Sequence, residues 1–425
     1  MNQNEVRKKI FAAVDNNKEE ITRMLQALVR IPTLVGDEGE GQKLMNELFL
    51  NLGLKVIVFE ADYDKVSRHK AFSHSGYDFK DRPNIIGILE GSPSAKSLKL
   101  SGHIDVVPVE PAGDWEYGPW EGKVVSNRLY GRGALDMKAG LVTNYFALKS
   151  LLEAGLKPDG TVILESVIEE EAQGGGGTLA CLMEGYTADG LVISEPSGET
   201  ITIATAGVHW FRVRVTGKPA HAGRAHVGVN AILKMNKLCQ ALEQLDVERG
   251  ENVHYPLFEE YSPRSCHLNI GTYKAGDWPS TVPSWAEIEC RIGSIPGEDT
   301  AAVKNQVEAT IKQAAEVDEW LKDHPPEIIW FGLQAEPWAQ DPKHPLVTNF
   351  KSCAGKALGK EVVLYGAPAS ADTQYVQYFD QPALIFGPRG NRTHATDEYV
   401  DLDSVVNCTK VLASFMMDWC RLETV

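Results

Sequence analysis

His103-Ile104-Asp105 closes an apolar, strand-like run, Leu98-Lys99-Leu100-Ser101-Gly102. An imidazole at a strand end can bind a cation through one ring nitrogen while a carboxylate takes the other N–H and fixes the tautomer. His-x-Asp also arises by chance, so its meaning depends on the acids that follow. Asp136 lies in Gly131-Arg132-Gly133-Ala134-Leu135-Asp136-Met137-Lys138, between a glycine-rich turn and a helix. It suits a helix N-cap and a metal ligand alike, because a carboxylate has two oxygens. Glu169-Glu170-Glu171 follows Ile168 at the end of an apolar strand. Neighbouring carboxylates raise one another's pKa unless a cation compensates, and a free carboxylate beside that cation is a natural general base. The plain alternative is a charged loop end. Ile193-Ser194-Glu195-Pro196 adds an acid after another strand, and Arg392-Thr393-His394-Ala395-Thr396-Asp397-Glu398 puts a histidine in a polar loop before the last helix. One histidine, one aspartate and one glutamate, or two histidines and three carboxylates shared by two ions, form an oxygen and nitrogen set without thiolates, which suits zinc, cobalt or manganese.

These residues need a frame that brings strand ends together. Helical spacing over Ile21 to Val29 and Gly41 to Leu52 is followed by strands at Lys55 to Phe59, Asn84 to Leu89 and the run into His103. A helix at Lys138 to Leu152, a strand at Val162 to Ile168, a short helix at Leu179 to Met183 and a strand at Gly190 to Ser194 continue the alternation. Residues 61–82 read as a polar surface loop. This order predicts an α/β layer with a mostly parallel sheet, whose ligands would gather outside the carboxyl ends of the strands. The pattern changes near Gly207. Strand, helix (Asn230 to Leu245), two strands (His267 to Tyr273, Trp285 to Arg291) and helix (Ala301 to Ala315) resemble a small α+β sandwich. From Glu327 the α/β pattern is expected to resume, with helices near 345–357, 371–379 and 402–420. The expectation is a discontinuous catalytic domain, 1–206 and 326–425, with an inserted α+β domain at 207–325.

At 425 residues the chain is too long for one ordinary core. Its 43% hydrophobic and 24% charged content is that of a globular protein, and its net charge of −16 argues against nucleic-acid or anionic membrane surfaces. No apolar run reaches the length of a spanning helix. The polar start, Met1-Asn2-Gln3-Asn4-Glu5, has no signal-peptide character. Seven scattered cysteines without Cys-x-x-Cys suit reduced thiols and a cytoplasmic setting. Gly131-x-Gly133 lacks the third glycine of a dinucleotide fingerprint. Trp115 and Trp120 are read as packing residues or, less simply, as pocket lining.

Taken in order, these motifs resemble the di-zinc peptidase and deacylase family of acetylornithine deacetylase, succinyl-diaminopimelate desuccinylase, aminoacylase and a bacterial glutamate carboxypeptidase. The resemblance covers nearly the whole chain. It implies a phosphorylase/hydrolase-like catalytic domain and a lid or dimerisation domain. It implies that Asp136 bridges two metal ions, that Glu171 and His394 complete one site and that His103 and Glu195 complete the other. Asp105 would orient His103, and Glu170 would be the general base and acid. A register starting at Glu169 is also open, because the loop Ala172 to Thr178 is one residue longer than in relatives; the spacings favour Glu170. In the inserted domain, Gly217-Lys218-Pro219-Ala220-His221-Ala222-Gly223 resembles the motif whose histidine stabilises the oxyanion, often in the partner subunit, with a turn histidine as the alternative. Arg291 matches an arginine that relatives use on a substrate carboxylate. The asparagine usual before Val-Pro is missing from Trp278-Pro279-Ser280-Thr281-Val282-Pro283. The resemblance therefore implies a homodimeric two-metal amidohydrolase acting on a small N-acyl amino acid or amine, acetylornithine deacetylase-like. Formylaminopyrimidine deformylase and a di-zinc dipeptidase or carboxypeptidase are the alternatives. A catalytically silent dimeric binding protein should have lost a ligand or the base, and none is missing.

Overall fold

The computed structural model describes residues 3–422 apart from residue 261. The chain divides into two compact units. The larger comprises the residues up to Ile203, Gln340–Tyr365 and those from Ala371 onward; the smaller comprises Ala204–Ala339 and Gly366–Ser370.

The larger unit is built on a sheet whose middle strands are parallel. Val162–Val167, Leu98–His103, Leu191–Ile193 and Ala383–Ile385 run side by side in that order. Lys55–Phe59 and Asn84–Leu89 continue the sheet antiparallel on one side, and Ile201–Thr205 does so on the other. The middle strands are buried throughout, which is why they read as unbroken apolar runs rather than alternating ones. The helix Ala139–Glu153 is buried on almost every face, and Leu402–Cys420 packs on it. Gly140 lets that helix press against the Ser194 carbonyl, where a Cβ would collide. A separate antiparallel sheet orders Gly390–Asn391, Tyr399–Asp401, Arg128–Tyr130 and Lys123–Val125. It ties the loop leading to Asp136 to the hairpin that carries His394.

The smaller unit is a four-stranded antiparallel sheet in the order Leu268–Ala275, Trp285–Ser294, Gly207–Thr216, Glu327–Ala335. The helices Ala231–Asn252 and Thr300–Glu316 bury their apolar stripes with one face of it: Met235, Leu238, Leu242, Val307 and Ile311 meet Phe211, Val213, Ile288 and Ile292. The expected return to the α/β pattern at Glu327 does not occur there. Ile328 and Trp330 pack against this same core, so the strand belongs to the smaller sheet and the unit runs on to Ala339. The helix expected over 371–379 is one turn, Thr373–Val376, because the buried side chains around it are committed to a neighbouring loop. Residues 61–82 form a packed loop rather than a purely surface one. Val66, Phe79 and Arg82 are buried, and Arg82 pairs with Glu38 at 2.6 Å.

Candidate metal centre

The parallel strands end together, and four of the expected residues follow from that register. His103 is the last residue of Leu98–His103 and pairs with Val167, just before Glu169-Glu170-Glu171; Glu195 follows the next parallel strand. Asp136 arrives from the turn before the helix Ala139–Glu153, in extended backbone with φ −113°. His394 sits in a left-handed conformation, φ 61°, in the hairpin loop.

These side chains form two ligand triplets that share one residue. His103, Asp136 and Glu195 make the first; Asp136, Glu171 and His394 make the second. Within each, one ligand atom per residue lies within 4.8 Å of the others. Nε2 of His103 is 3.3 Å from Asp136 Oδ1 and 3.6 Å from Glu195 Oε1. Nε2 of His394 is 3.4 Å from Asp136 Oδ2 and 3.0 Å from Glu171 Oε2. Each oxygen of Asp136 therefore faces a different histidine. Glu170 stands beside the cluster, its Oε2 3.9 Å from His103 Nε2. Glu169 turns away: it accepts hydrogen bonds from Ser75 and the Gly176 amide and faces Arg82. The register beginning at Glu169 is thus not the one that meets the histidines.

Asp105 acts differently from the simple His-carboxylate pair. Nδ1 of His103 is 2.9 Å from the backbone carbonyl of Asp105 and 3.6 Å from its carboxylate. A carbonyl only accepts, so Nδ1 carries the proton and the Nε2 lone pair is left for a cation. The Asp105 carboxylate instead accepts the amide N–H groups of Glu170 (3.3 Å) and Glu171 (3.0 Å) and fixes the turn that presents both glutamates.

The electrostatics call for positive charge. Burial, then the Glu195 charge, pushes Glu170 well above the usual carboxylate range. Burial raises Glu171, Glu195 and Asp372 to about 7. Burial also opposes the charge on Asp136, but the His103 and His394 imidazoles beside it overcome that cost and hold the carboxyl low. His394 is pushed up to about 10 by its hydrogen bonds to Asp136 and Glu171. Among the described residues, Nε2 of His103 and Oε1 of Glu195 are buried without a hydrogen-bond partner. A lone pair and a carboxylate oxygen, both orphaned and aimed at one point, fit a divalent cation.

Several functional groups escaped the sequence reading. Glu398 is fully buried and accepts the amide N–H groups of Gly133 (3.2 Å), Leu135 (2.9 Å) and Asp136 (3.1 Å), with Arg132 at 2.6 Å. It holds the turn that carries Asp136. Its signal was available: it is the last acid before the apolar strand that follows the His394 loop. Lys138 is buried and donates to the carbonyls of Leu28 (3.0 Å) and Ile31 (2.8 Å); burial brings it down to about 7. Trp115 donates to the Val109 carbonyl at 2.9 Å and stacks near Arg132, a packing role.

His221 and Arg291 belong to the smaller unit. His221 is exposed, and its Nδ1 accepts the Gly223 amide at 3.1 Å. Arg291 lines a cavity of about 280 Å³ with Trp210, Asn269, Glu289 and Phe331, and burial lowers its pKa. All seven cysteines are free thiols, and among the described residues no helix is long and apolar enough to cross a membrane.

Comparison with known proteins gives a consistent family. The model described as peptidase family M20/M25/M40 matches residues 100–418. N-formyl-4-amino-5-aminomethyl-2-methylpyrimidine deformylase of Halalkalibacterium halodurans is 29% identical over 97% of each chain. A probable succinyl-diaminopimelate desuccinylase of Staphylococcus aureus is 27% identical over 91% of this chain and 94% of its own. Among solved structures, a tripeptidase from Staphylococcus aureus superposes with a TM-score of 0.74 at 19% identity, covering 95% of this chain and 99% of that one.

Proposed function

Because the chain belongs to peptidase family M20/M25/M40, a family of carbon–nitrogen hydrolases, we propose that it removes a formyl or other small acyl group from an amine, with Glu170 as general base and acid. The observation that carries this reading is the pair of ligand triplets sharing Asp136, with Glu170 outside both of them and 3.9 Å from His103. His103, Asp136 and Glu195 would hold one divalent ion, and Asp136, Glu171 and His394 the other; zinc suits the donor set best. Two such ions polarise an amide carbonyl and make a water molecule acidic near neutral pH. Glu170 takes the proton of the attacking water and returns it to the leaving nitrogen.

The deformylase relative supports placing an N-formyl aminomethylpyrimidine first among substrates, since it matches across almost the full length of both chains. The desuccinylase relatives keep N-succinyl and N-acetyl amino acids next. Among the described residues no carboxylate pairs with Arg291, which leaves it available to a substrate carboxylate. The exposed Val227, Leu233, Tyr273 and Trp278 of the smaller unit support a homodimer formed through that unit, with His221 stabilising the oxyanion in trans. The free thiols agree with a cytoplasmic setting.

The test is an assay of N-formyl, N-acetyl and N-succinyl amides with zinc and with cobalt, before and after chelation. Activity on one class, lost on chelation and restored by metal, is expected. Glu170→Ala should keep two metal equivalents yet lose hydrolysis; a variant that keeps most of its activity refutes the role of Glu170. A monomer by light scattering refutes the dimer. Mixing His221→Ala with Glu170→Ala protein should restore part of the activity if His221 works in trans.

A further inference from the structure

We propose that Gln173, itself held by Gln374, positions the Glu170 carboxylate for proton transfer; this rests on Glu170 being the base. Gln173 Nε2 donates to Glu170 Oε1 at 2.9 Å and to the Glu170 carbonyl at 3.0 Å. One carboxylate oxygen is thereby tied back, and the other, Oε2, is the one that faces His103. A glutamine amide can present either end. Here its Oε1 accepts from Gln374 Nε2 at 3.0 Å, so its NH₂ end is directed at Glu170.

Gln374 is a firm anchor. It is buried between Thr373 and Tyr375, both with no exposed surface. Asp372 accepts from the Thr178 hydroxyl at 2.5 Å, and the Tyr375 hydroxyl donates to the Gly174 carbonyl at 2.8 Å. Three successive contacts thus clamp both ends of the loop after Glu171. Gln173 adopts a left-handed conformation, φ 51°, which a non-glycine residue keeps only where its surroundings impose it. Gly174 must be glycine, because a Cβ there would strike the Glu169 carboxyl. The loop is shaped to deliver the Gln173 side chain to Glu170, and glutamine does so without adding charge beside the cluster.

The experiment compares wild type with Gln173→Ala, Gln374→Met and Glu170→Ala, on the amide of the panel that wild type turns over fastest. Zinc equivalents bound, melting temperature, kcat and KM are measured for each. Gln374→Met keeps the buried bulk and removes the donor that fixes which end of the Gln173 amide faces Glu170. Removing a hydrogen bond to a charged group corresponds to about 10- to 100-fold. The expectation is therefore kcat lower by about that factor in both glutamine variants, with KM within about twofold, two zinc equivalents and an unchanged melting temperature. A kcat within about threefold of wild type in either variant overturns the proposal. Loss of zinc or of thermal stability also overturns it, because the loop would then serve Glu171 or the fold. A dead Glu170→Ala with fully active glutamine variants removes only this proposal, whereas an active Glu170→Ala removes the reading beneath it.

Discussion

Lys99 and Glu165 lie 3.1 Å apart on neighbouring parallel strands of the larger unit, with no exposed side-chain surface on either. Ser101 and the Tyr186 carbonyl complete their hydrogen bonds. At comparable depth the smaller unit has Phe211, Val213, Leu242 and Ile288, and its sheet pair Arg212–Glu289 stays partly exposed. The larger unit also buries Arg82–Glu38 and Arg132–Glu398. A buried charge is costly unless it is paired and fully hydrogen-bonded. The smaller unit buries Arg249 beside Glu298 and Asp318 beside Lys234 and Lys237, but there one partner of each pair stays partly exposed; only the larger unit, which must present six ionisable groups at one point, buries both partners of such pairs behind them. The largest test follows. Lys99→Met leaves Glu165 buried without its cation and should destabilise the larger unit by about 3–5 kcal/mol, whereas Lys99→Met with Glu165→Leu should recover most of that loss. Urea unfolding measures both, and a single variant that costs under about 1 kcal/mol would break the contrast.

The units should also respond to acid with opposite signs. Burial lowers His209 of the smaller unit to about 3, and among the described residues its Nδ1 has no hydrogen-bond partner. A histidine whose folded pKa is depressed contributes stability that is full above its unfolded value of about 6.5 and lost as pH falls toward 3, a swing on the order of 5 kcal/mol. Burial raises Glu169 and Asp372 of the larger unit to about 7. Their contribution is present at low pH and is lost as pH rises through 7. In the metal-free protein, His209→Gln should therefore reduce the loss of melting temperature between pH 7 and pH 4. An unchanged pH slope would show that the buried imidazole is not what makes the smaller unit acid-sensitive.

Support at a distance can be separated from ligation. Glu398 touches no histidine but holds three amides of the turn that carries Asp136. Glu398→Ala should weaken zinc binding by about 10- to 100-fold, the usual effect of removing a partner that orients a ligand. A competing chelator measures this. Unaltered zinc affinity would mean that Arg132 and the small sheet suffice to fix the turn.

How legible these features were depended on the range of the interaction. Lys55 to Phe59 and Asn84 to Leu89 were read with their observed limits, because β-branched runs bounded by polar loops are local signals. The cluster was legible because acids and histidines stood at successive strand ends in a familiar order. The helix Gln3–Asn16 was not read; its buried Val6, Ile10 and Val14 form a stripe only one residue wide. Glu327–Ala335 was assigned to the wrong sheet, since nothing local distinguishes which edge a strand will join. Glu398, Gln173 and Lys138 were missed for a related reason. Their partners are backbone groups or side chains far along the chain, and no spacing rule reports those.

The smallest expected effect isolates that difference at two helix starts. Asn230 caps Ala231–Asn252, its Oδ1 accepting from the amides of Ile232 (2.9 Å) and Leu233 (3.3 Å). At the other start, Asp136 had been open to the same role. There the helix Ala139–Glu153 has no side-chain cap, and both Asp136 oxygens go to histidines. The smaller unit thus spends a polar side chain on its own helix, and the larger unit diverts one to a site. Asn230→Ala should cost about 1 kcal/mol, with Asn230→Asp close to neutral, both read from unfolding of the smaller unit. The amides freed by alanine can reach water, since Leu233 is exposed, so a loss well above that range would mean that Asn230 acts beyond its helix, as Asp136 does.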